Sequence, residues 1–376
     1  MRMIRSFLPV GQGAFYCEQF DILLPNGEKV NVVYDCGSST DVELVKEQIR
    51  VTFDKDETIH AVFISHLHDD HINGLEYLLQ FCNVKNIFFP LMYKEDKEMI
   101  TLDNLVNGTG ENSFINSFID NPYTALYNLD LRNSRPNLYR IAYSEQLRDD
   151  SVFDDDIPII ASGENVWSYI TPDNETKDKL DRWIYIPFNF RHTDRMAFLQ
   201  KALFKEFGCI KNLQSFWTNS NVYTKDKIKE IYRKIPGGHN VNSMTLYSGP
   251  AQNRGYQLMY QNYLFSHCCQ RYVKHAGCLY TGDYDASGKQ KLECLRERYS
   301  KHWEYIGCLQ IPHHGSKHNY NSYFSTLNSF FIISVGRSNR YRHPHSKVIK
   351  NLLFNYHYPF IVTEDGESAV HLVVDY

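Results

Sequence analysis

Hydrophobic positions along the chain follow two periods in turn. Ile4 to Val10, the alternating stretch Phe15 to Leu24 and the run Val30 to Tyr34 predict three strands, with Asn26-Gly27 as the hairpin turn between the last two. Helical spacing then covers Asp41 to Val51. A short apolar run, Ala61 to Ile64, predicts a buried strand, Ile72 to Phe81 a helix, and Asn86 to Phe89 another strand. From about Leu91 to Gly238 the pattern gives way to polar and aromatic stretches, with helical segments at Arg195 to Glu206 and Thr224 to Arg233 and acidic residues gathered in Asp149 to Asp156.

Alternation resumes beyond that region. Strands are expected at Met244 to Tyr247, Gly277 to Thr281, Tyr305 to Ile311, Phe330 to Val335, Phe360 to Val362 and Ser368 to Val374. Helices are expected at Lys289 to Tyr299 and Ser346 to Phe354, and a turn at Glu364-Asp365-Gly366. Strands alternating with helices make a layered α/β domain, assembled from residues 1–90 and 240–376 around a mainly helical insertion, 91–239. The insertion suits a substrate lid or a stabilising or partner-binding embellishment, and the pattern leaves both open.

Composition changes this picture little. The chain has 376 residues, 43% of them hydrophobic and 14% aromatic, enough to bury a full core. A formal charge of −4 offers no global attraction to nucleic acid or to an acidic membrane, so any anion binding must be local. Nine cysteines, several inside apolar runs and none in a C-x-x-C pair, point to buried free thiols rather than disulfides or a zinc ribbon. The opening residues lack the apolar centre of a signal peptide, and no run approaches the ~18 apolar residues of a membrane span. The expectation is a cytoplasmic protein without a membrane segment.

Candidate chemistry concentrates where the strand Ala61 to Ile64 ends. His66, His68, Asp70 and His71 follow within one turn, a nitrogen and carboxylate set suited to a divalent metal such as zinc, or to manganese. Such an ion polarises a substrate and lowers the pKa of bound water towards ~7. Two later strand ends offer more ligand types, Asp283 and then His313 with His314. Strand ends of a layered sheet share one edge, so a carboxylate from Asp283 and an imidazole from His313 would fill a second metal position beside Asp70 and His71. From His313 to Lys350 the chain carries Lys317, Arg337, Arg340, Arg342, Lys347 and Lys350 and no Asp or Glu. That cation-rich edge suits a phosphate-bearing substrate.

Taken in order, Val10-Gly11-Gln12-Gly13, Asp35-Cys36-Gly37, the H-x-H-x-D-H turn, Thr281-Gly282-Asp283, Pro312-His313-His314-Gly315-Ser316, Ser334-Val335-Gly336, Asn339 and His343-Pro344 resemble the metallo-β-lactamase fold superfamily. Within it they are most similar to the soluble counterpart of the metallohydrolase domain of ComEC competence proteins. The resemblance implies an αββα four-layer sandwich and hydrolysis of phosphodiesters, in DNA or another nucleotide substrate, by one or two divalent ions. It implies that His66, His68, Asp70, His71, Asp283 and His313 bind metal and that Asp35 orients them. Asp70, His314 and His343 become the catalytic candidates, and Ser316, Lys317, Asn339 and Arg340 the candidates for holding substrate. A histidine that many members place before the Gly-Asp strand is not evident, the region reading His239-Asn240-Val241-Asn242-Ser243. Hydrolysis of a small ester, lactone or nucleotide signal, or a non-turning-over nucleotide- or partner-binding module, would use the same scaffold.

Overall fold

A computed structural model describes residues 2–23, 29–110, 113–143, 156–171, 183–191, 193–210, 213–234, 242–252, 255–261 and 270–375. The expected Asn26-Gly27 turn, most of the acidic stretch Asp149 to Asp156, and His239 to Val241 lie outside them. Strands β1 (Arg2–Phe7), β2 (Gly13–Leu23) and β3 (Lys29–Ser38) form an antiparallel meander. Helix α1 (Val42–Thr52) follows, opened by the Asp41 carboxylate, which accepts from the Glu43 amide at 2.9 Å. Next come β4 (Thr58–Ile59), β5 (Ala61–Phe63), α2 (Asp69–Ile72), α3 (Leu75–Phe81), β6 (Asn83–Val84) and β7 (Asn86–Pro90).

The helix expected over Ile72 to Phe81 is two helices, and Asp70 and His71 stand inside α2 rather than ahead of it. The break has a local cause. At Asn73-Gly74 the chain turns inward to bond β3: the Gly74 amide donates to the Cys36 carbonyl at 2.8 Å, and Asn73 Nδ2 donates to the Ser38 carbonyl at 2.7 Å. These bonds tie the ligand turn to the end of β3.

The region 91–239 is less purely helical than its pattern suggests. Helices α4 (Lys94–Asn107), α5 (Phe114–Asp120) and α6 (Pro122–Tyr127) are followed by β8 (Asn137–Ile141), β9 (Ile159–Ile160), the short α7 (Trp167–Ile170) and β10 (Trp183–Arg191). Then come α8 (Thr193–Phe207), α9 (Leu213–Asn219) and α10 (Val222–Arg233). Strands β8 and β9 extend the first sheet and β10 edges the second, so this stretch is woven into the scaffold. Among the described residues, α4 with α8 to α10 builds a separate core, around Met99, Leu102, Leu199, Leu203, Trp217 and Ile228.

The remaining strands are β11 (Asn242–Pro250), β12 (Gln257–Gln261), β13 (Gln270–Val273), β14 (Gly277–Tyr280), β15 (Ile306–Gln310), β16 (Phe330–Ser334), β17 (Phe360–Val362) and β18 (Val370–Asp375), with α11 (Lys289–Arg298) and α12 (Ser346–Phe354). A ten-stranded sheet runs β13-β12-β18-β1-β2-β3-β5-β7-β8-β9, and a six-stranded sheet runs β10-β11-β14-β15-β16-β17. Their inner faces meet over Tyr34, Phe63, Phe88, Tyr185, Leu246, Tyr280, Cys308 and Ile332. The outer face of the first packs on α1, α3, α5 and α6, and that of the second on α11 and α12. The molecule is therefore an αββα sandwich, and each fully buried Leu, Ile or Phe contributes about 1.5–3 kcal/mol to holding the layers together.

One polar group crosses that apolar middle. Arg5 Nε lies 2.8 Å from Glu18 Oε1, both side chains buried, and Glu18 also accepts from the hydroxyls of Tyr280 (2.9 Å), Ser248 (2.6 Å) and Tyr185 (2.5 Å). Arg5 is matched further by the carbonyls of Ala276 and Ser248, at 3.1 and 3.4 Å. The pair thus joins strands of both sheets with its polar atoms satisfied. Among the described residues the cysteines are free, with Cys17, Cys36, Cys82, Cys278 and Cys308 buried. No helix among them is long and apolar enough to cross a membrane.

Candidate metal centre

Parallel strands of both sheets end at a common edge, and there the chain gathers its histidines. Towards the end of β3 stands Asp35, whose backbone is left-handed at φ 56 and whose carboxylate is fully buried. It accepts from the Ser65 amide, the Ser65 hydroxyl and His71 Nδ1, each at 2.7 Å. With its proton given to Asp35, Ser65 Oγ is left to accept from His66 Nδ1 at 2.9 Å. Both imidazoles are therefore held with a proton on Nδ1, which leaves Nε2 as the nitrogen that would face a cation. His314 obeys the same rule: its Nδ1 donates to the Ser334 carbonyl at 2.9 Å.

Those Nε2 nitrogens converge. His71 Nε2 is 3.4 Å from Asp283 Oδ1, His66 Nε2 is 3.7 Å from Asp283 Oδ2, and His314 Nε2 is 3.3 Å from Asp70 Oδ2. Ligand atoms of His66, Asp70 and His71 lie within 4.8 Å of one another, as do those of His71, Asp283 and His314. His313 approaches from the other side of Asp283, its Nδ1 3.3 Å from Oδ2. Of the neighbouring histidines it is therefore His314 that closes the tight trio with His71 and Asp283. His68 stands apart with its Nε2 3.4 Å from Asp103 Oδ2, on α4.

The buried nitrogens His66 Nε2, His68 Nε2, His71 Nε2, His313 Nδ1 and His314 Nε2 have no hydrogen-bond partner. Five such orphans among carboxylates would be costly in an ordinary interior, and a divalent cation is the partner this donor set fits. The electrostatics agree. Burial opposes charge on Asp283, yet the imidazoles of His313 and His71 hold its carboxyl well below the usual range. Burial together with the His71 charge drives His66 well below an ordinary histidine, into its ligand form. Burial would lower His71 too, but Asp35, Asp70 and Asp283 raise it well above 6.5, and carboxylates that favour a proton there would favour a cation more.

Backbone close approach shapes the turn. A Cβ at Gly37 would come 2.6 Å from the His71 backbone, and one at Gly282, whose φ is +51°, would come 2.6 Å from Ser65 Cβ. Larger residues at either place would push the ligand-bearing segments apart.

The expected substrate-holding residues divide. Lys317 is exposed beside the cluster, and Arg340 is exposed but bonded to Asn107 at the end of α4 (3.3 Å) and to the Tyr341 hydroxyl (2.7 Å). Ser316 is buried, its hydroxyl accepting from the His318 amide at 3.2 Å. The Asn339 amide is engaged by its own loop: Nδ2 donates to the carbonyls of Gly336 (2.7 Å) and His343 (2.8 Å), and Oδ1 accepts from the His343 amide (2.9 Å). It shapes the loop that presents His343. His343 has its ring centroid 5.7 Å from that of His313, and burial with the charges of His313 and His314 lowers its pKa to about 4. That makes it a neutral hydrogen-bonding group at pH 7 rather than a standing proton donor. Sequence reasoning missed Ser65, whose only signal was its place one residue before His66, and Asp103, which carried none.

No curated protein matches the chain. Among solved structures it is similar to MEM-A1, a subclass B3 metallo-beta-lactamase isolated from a soil metagenome library, at 12% identity and a TM-score of 0.31, over 81% of this chain and 75% of that one. It is similar also to the metallo-beta-lactamase SMB-1 bound to 2-mercaptoethanesulfonate, at 11% identity and a TM-score of 0.30, over 86% and 83% of the two chains. Likenesses this distant carry no argument about substrate. Residues 22–90 match the family model described as the metallo-beta-lactamase superfamily, a span that holds Asp35, Ser65 and the whole ligand turn.

Proposed function

We propose that the protein is a cytoplasmic metal-dependent hydrolase of phosphodiesters, in DNA or another nucleotide substrate, of the kind its motifs share with ComEC competence proteins. The observation that carries this reading is the placement of the acid-free segment 313–350, which begins at His313 and His314 inside the cluster. Beyond them Lys317, Arg342, Lys347 and Lys350 are exposed, and among the described residues no ion pair engages them. Arg337, by contrast, is drawn to Asp365 at 3.5 Å. Free cations on the segment that enters a nitrogen and carboxylate centre suit a phosphate group, whereas a neutral ester or lactone would draw on the metal alone.

His66, His71, Asp70, Asp283 and His314, with His68 and His313 at the margins, would hold one or two divalent ions, zinc or manganese. A bound ion supplies Lewis acidity at neutral pH. The protein supplies the rest. Asp70 is the most open carboxylate of the cluster, its side chain 23% exposed, and would orient an attacking water. His314, fixed by Ser334, sits against Asp70 and restrains it. The exposed cations draw in and hold the phosphate.

The test is metal content measured beside a hydrolysis screen of single-stranded DNA, cyclic nucleotides, a model diester and an acyl lactone, with zinc or manganese added. Turnover of a diester that disappears in the Asp70→Ala/His71→Ala variant supports the reading. Diester hydrolysis retained by that variant, or turnover of the lactone alone, refutes it.

A further inference from the structure

Helix α4 reaches the cluster from outside the sequence motifs. Its last turns bury polar residues, Asp103 at 6% exposure and Asn104 at 1%, on the side facing the ligand turn. Two bonds clamp it there, one on each side of His68: Asn104 Nδ2 donates to the Leu67 carbonyl at 3.4 Å, and the Thr109 hydroxyl donates to Asp69 Oδ1 at 3.2 Å. Asp103 Oδ2 then lies 3.4 Å from His68 Nε2 without making a hydrogen bond to it.

The orientation of that carboxylate is itself fixed. Asn107, one turn on, donates Nδ2 to Asp103 Oδ1 at 2.9 Å, and its own Oδ1 accepts from Arg340 Nη2 at 3.3 Å. The chain Arg340–Asn107–Asp103 therefore leaves Oδ2 as the atom turned to His68. A carboxylate this buried, met by one neutral amide and no lysine or arginine among the described residues, is unfavourable unless a cation stands beside it. Beside it, His66 and His68 have ring centroids 4.7 Å apart and buried, unpartnered Nε2 atoms, the donors such a cation would need. Strand β11 comes close to Gly282 through Ser243, and its described residues include no histidine.

We propose that Asp103, carried in on α4, is a ligand of the metal position that His66 and His68 begin, so that the region 91–239 contributes directly to the metal centre. Arg340 acts there through Asn107 as a positioning residue. The proposal rests on the metal-dependent reading above and deepens it by naming where the first ion finds its third protein ligand.

The experiment is zinc binding to metal-free protein by chelator competition, with stoichiometry by elemental analysis and the visible absorption of the cobalt-loaded form, on the wild type and on the near-isosteric Asp103→Asn. Circular dichroism and the melting temperature in chelator establish that the variant folds, and Asp103→Glu is the conservative rescue. The expected result is loss of one equivalent of metal, or a ~10-fold or greater weakening of one site, with an altered cobalt spectrum that Asp103→Glu partly restores. If Asp103→Asn binds metal with wild-type stoichiometry and affinity, Asp103 is only a structural partner of His68 and the proposal falls while the hydrolase reading stands. If the wild type itself binds no metal, the reading beneath it falls as well.

Discussion

Replacing Asp35 with Asn tests the hydrogen-bond chain that prepares the metal centre. Asn is nearly isosteric and tolerates the left-handed backbone that Asp35 adopts at φ 56, so backbone strain does not confuse the outcome. The amide can place its oxygen towards only one side. If Oδ1 keeps the Ser65 amide, the new NH2 faces the Ser65 hydroxyl and His71 Nδ1, the two groups that donate to Asp35 Oδ2 at 2.7 Å. Donor then meets donor at His71 Nδ1, and relief comes if His71 gives up that proton and keeps one on Nε2, the atom aimed at Asp283. Losing hydrogen bonds to a charged acceptor costs about 1.5–3 kcal/mol each, partly regained by that tautomer change, so a net loss on the order of 2 kcal/mol is expected in metal-free protein. Metal affinity should fall about 10–100-fold, the usual penalty for disturbing the partner of a ligating imidazole. Urea denaturation measures the first quantity and chelator competition the second. A folded Asp35→Asn protein that binds metal like the wild type would refute the tautomer argument, and lost stability with unchanged affinity would reduce Asp35 to a core strut.

Three other outcomes follow from the geometry. Glu18→Ala should destabilise the fold by about 3–5 kcal/mol in urea denaturation, because it strands the Arg5 guanidinium between the sheets, whereas an Arg5→Met/Glu18→Met double variant should lose much less. Gly282→Ala should cost at least ~1 kcal/mol and lower metal affinity, since its φ of +51° and the 2.6 Å approach to Ser65 leave no room for a methyl group; wild-type values for both would contradict the packing described. His302, stacked on Tyr247 with ring centroids 4.9 Å apart, has its pKa lowered by burial and by Lys301. The folded state thus resists its protonation, so stability present above the unfolded value of ~6.5 is lost as pH falls below it. The drop in melting temperature between pH 7.5 and 5.5 should be smaller in His302→Gln, and an equal drop would assign the acid sensitivity elsewhere.

What the sequence revealed and what it hid divide along physical lines. His66, His68, Asp70 and His71 were visible because their spacing is local, and Asp283, His313 and His314 because a strand ending in a polar turn is a local pattern too. Which of the two adjacent histidines closes the tight trio was not visible. That choice is made by left-handed backbone at His313 and His314 (φ 49 and 54) and by the Ser334 carbonyl, contributed by another strand. Asn339 looked like a phosphate ligand because nothing local shows that both ends of its amide are taken up by its own loop. The strands β8 to β10 escaped because their partners, parallel for β8 as in Ile87 with Leu138 and antiparallel for β10 as in Pro187 with Leu246, are far apart along the chain, and polar or aromatic neighbours blur the strand period. Asp103 was hidden most completely, as a carboxylate on an otherwise ordinary helix until tertiary packing turns it inward.

The order of strands in the ten-stranded sheet has a consequence for synthesis. Its β18 pairs with both β1 and β12, so a strand made early keeps an open edge until the last of the described strands emerges. The centre is divided in the same way between His71 and Asp283. At ribosomal rates of about 5–20 residues per second, roughly 10–40 s separate the appearance of those two residues. Through that interval the nascent polypeptide carries half a chelate and an unzipped border, the form in which chaperones and stray ions would first encounter it.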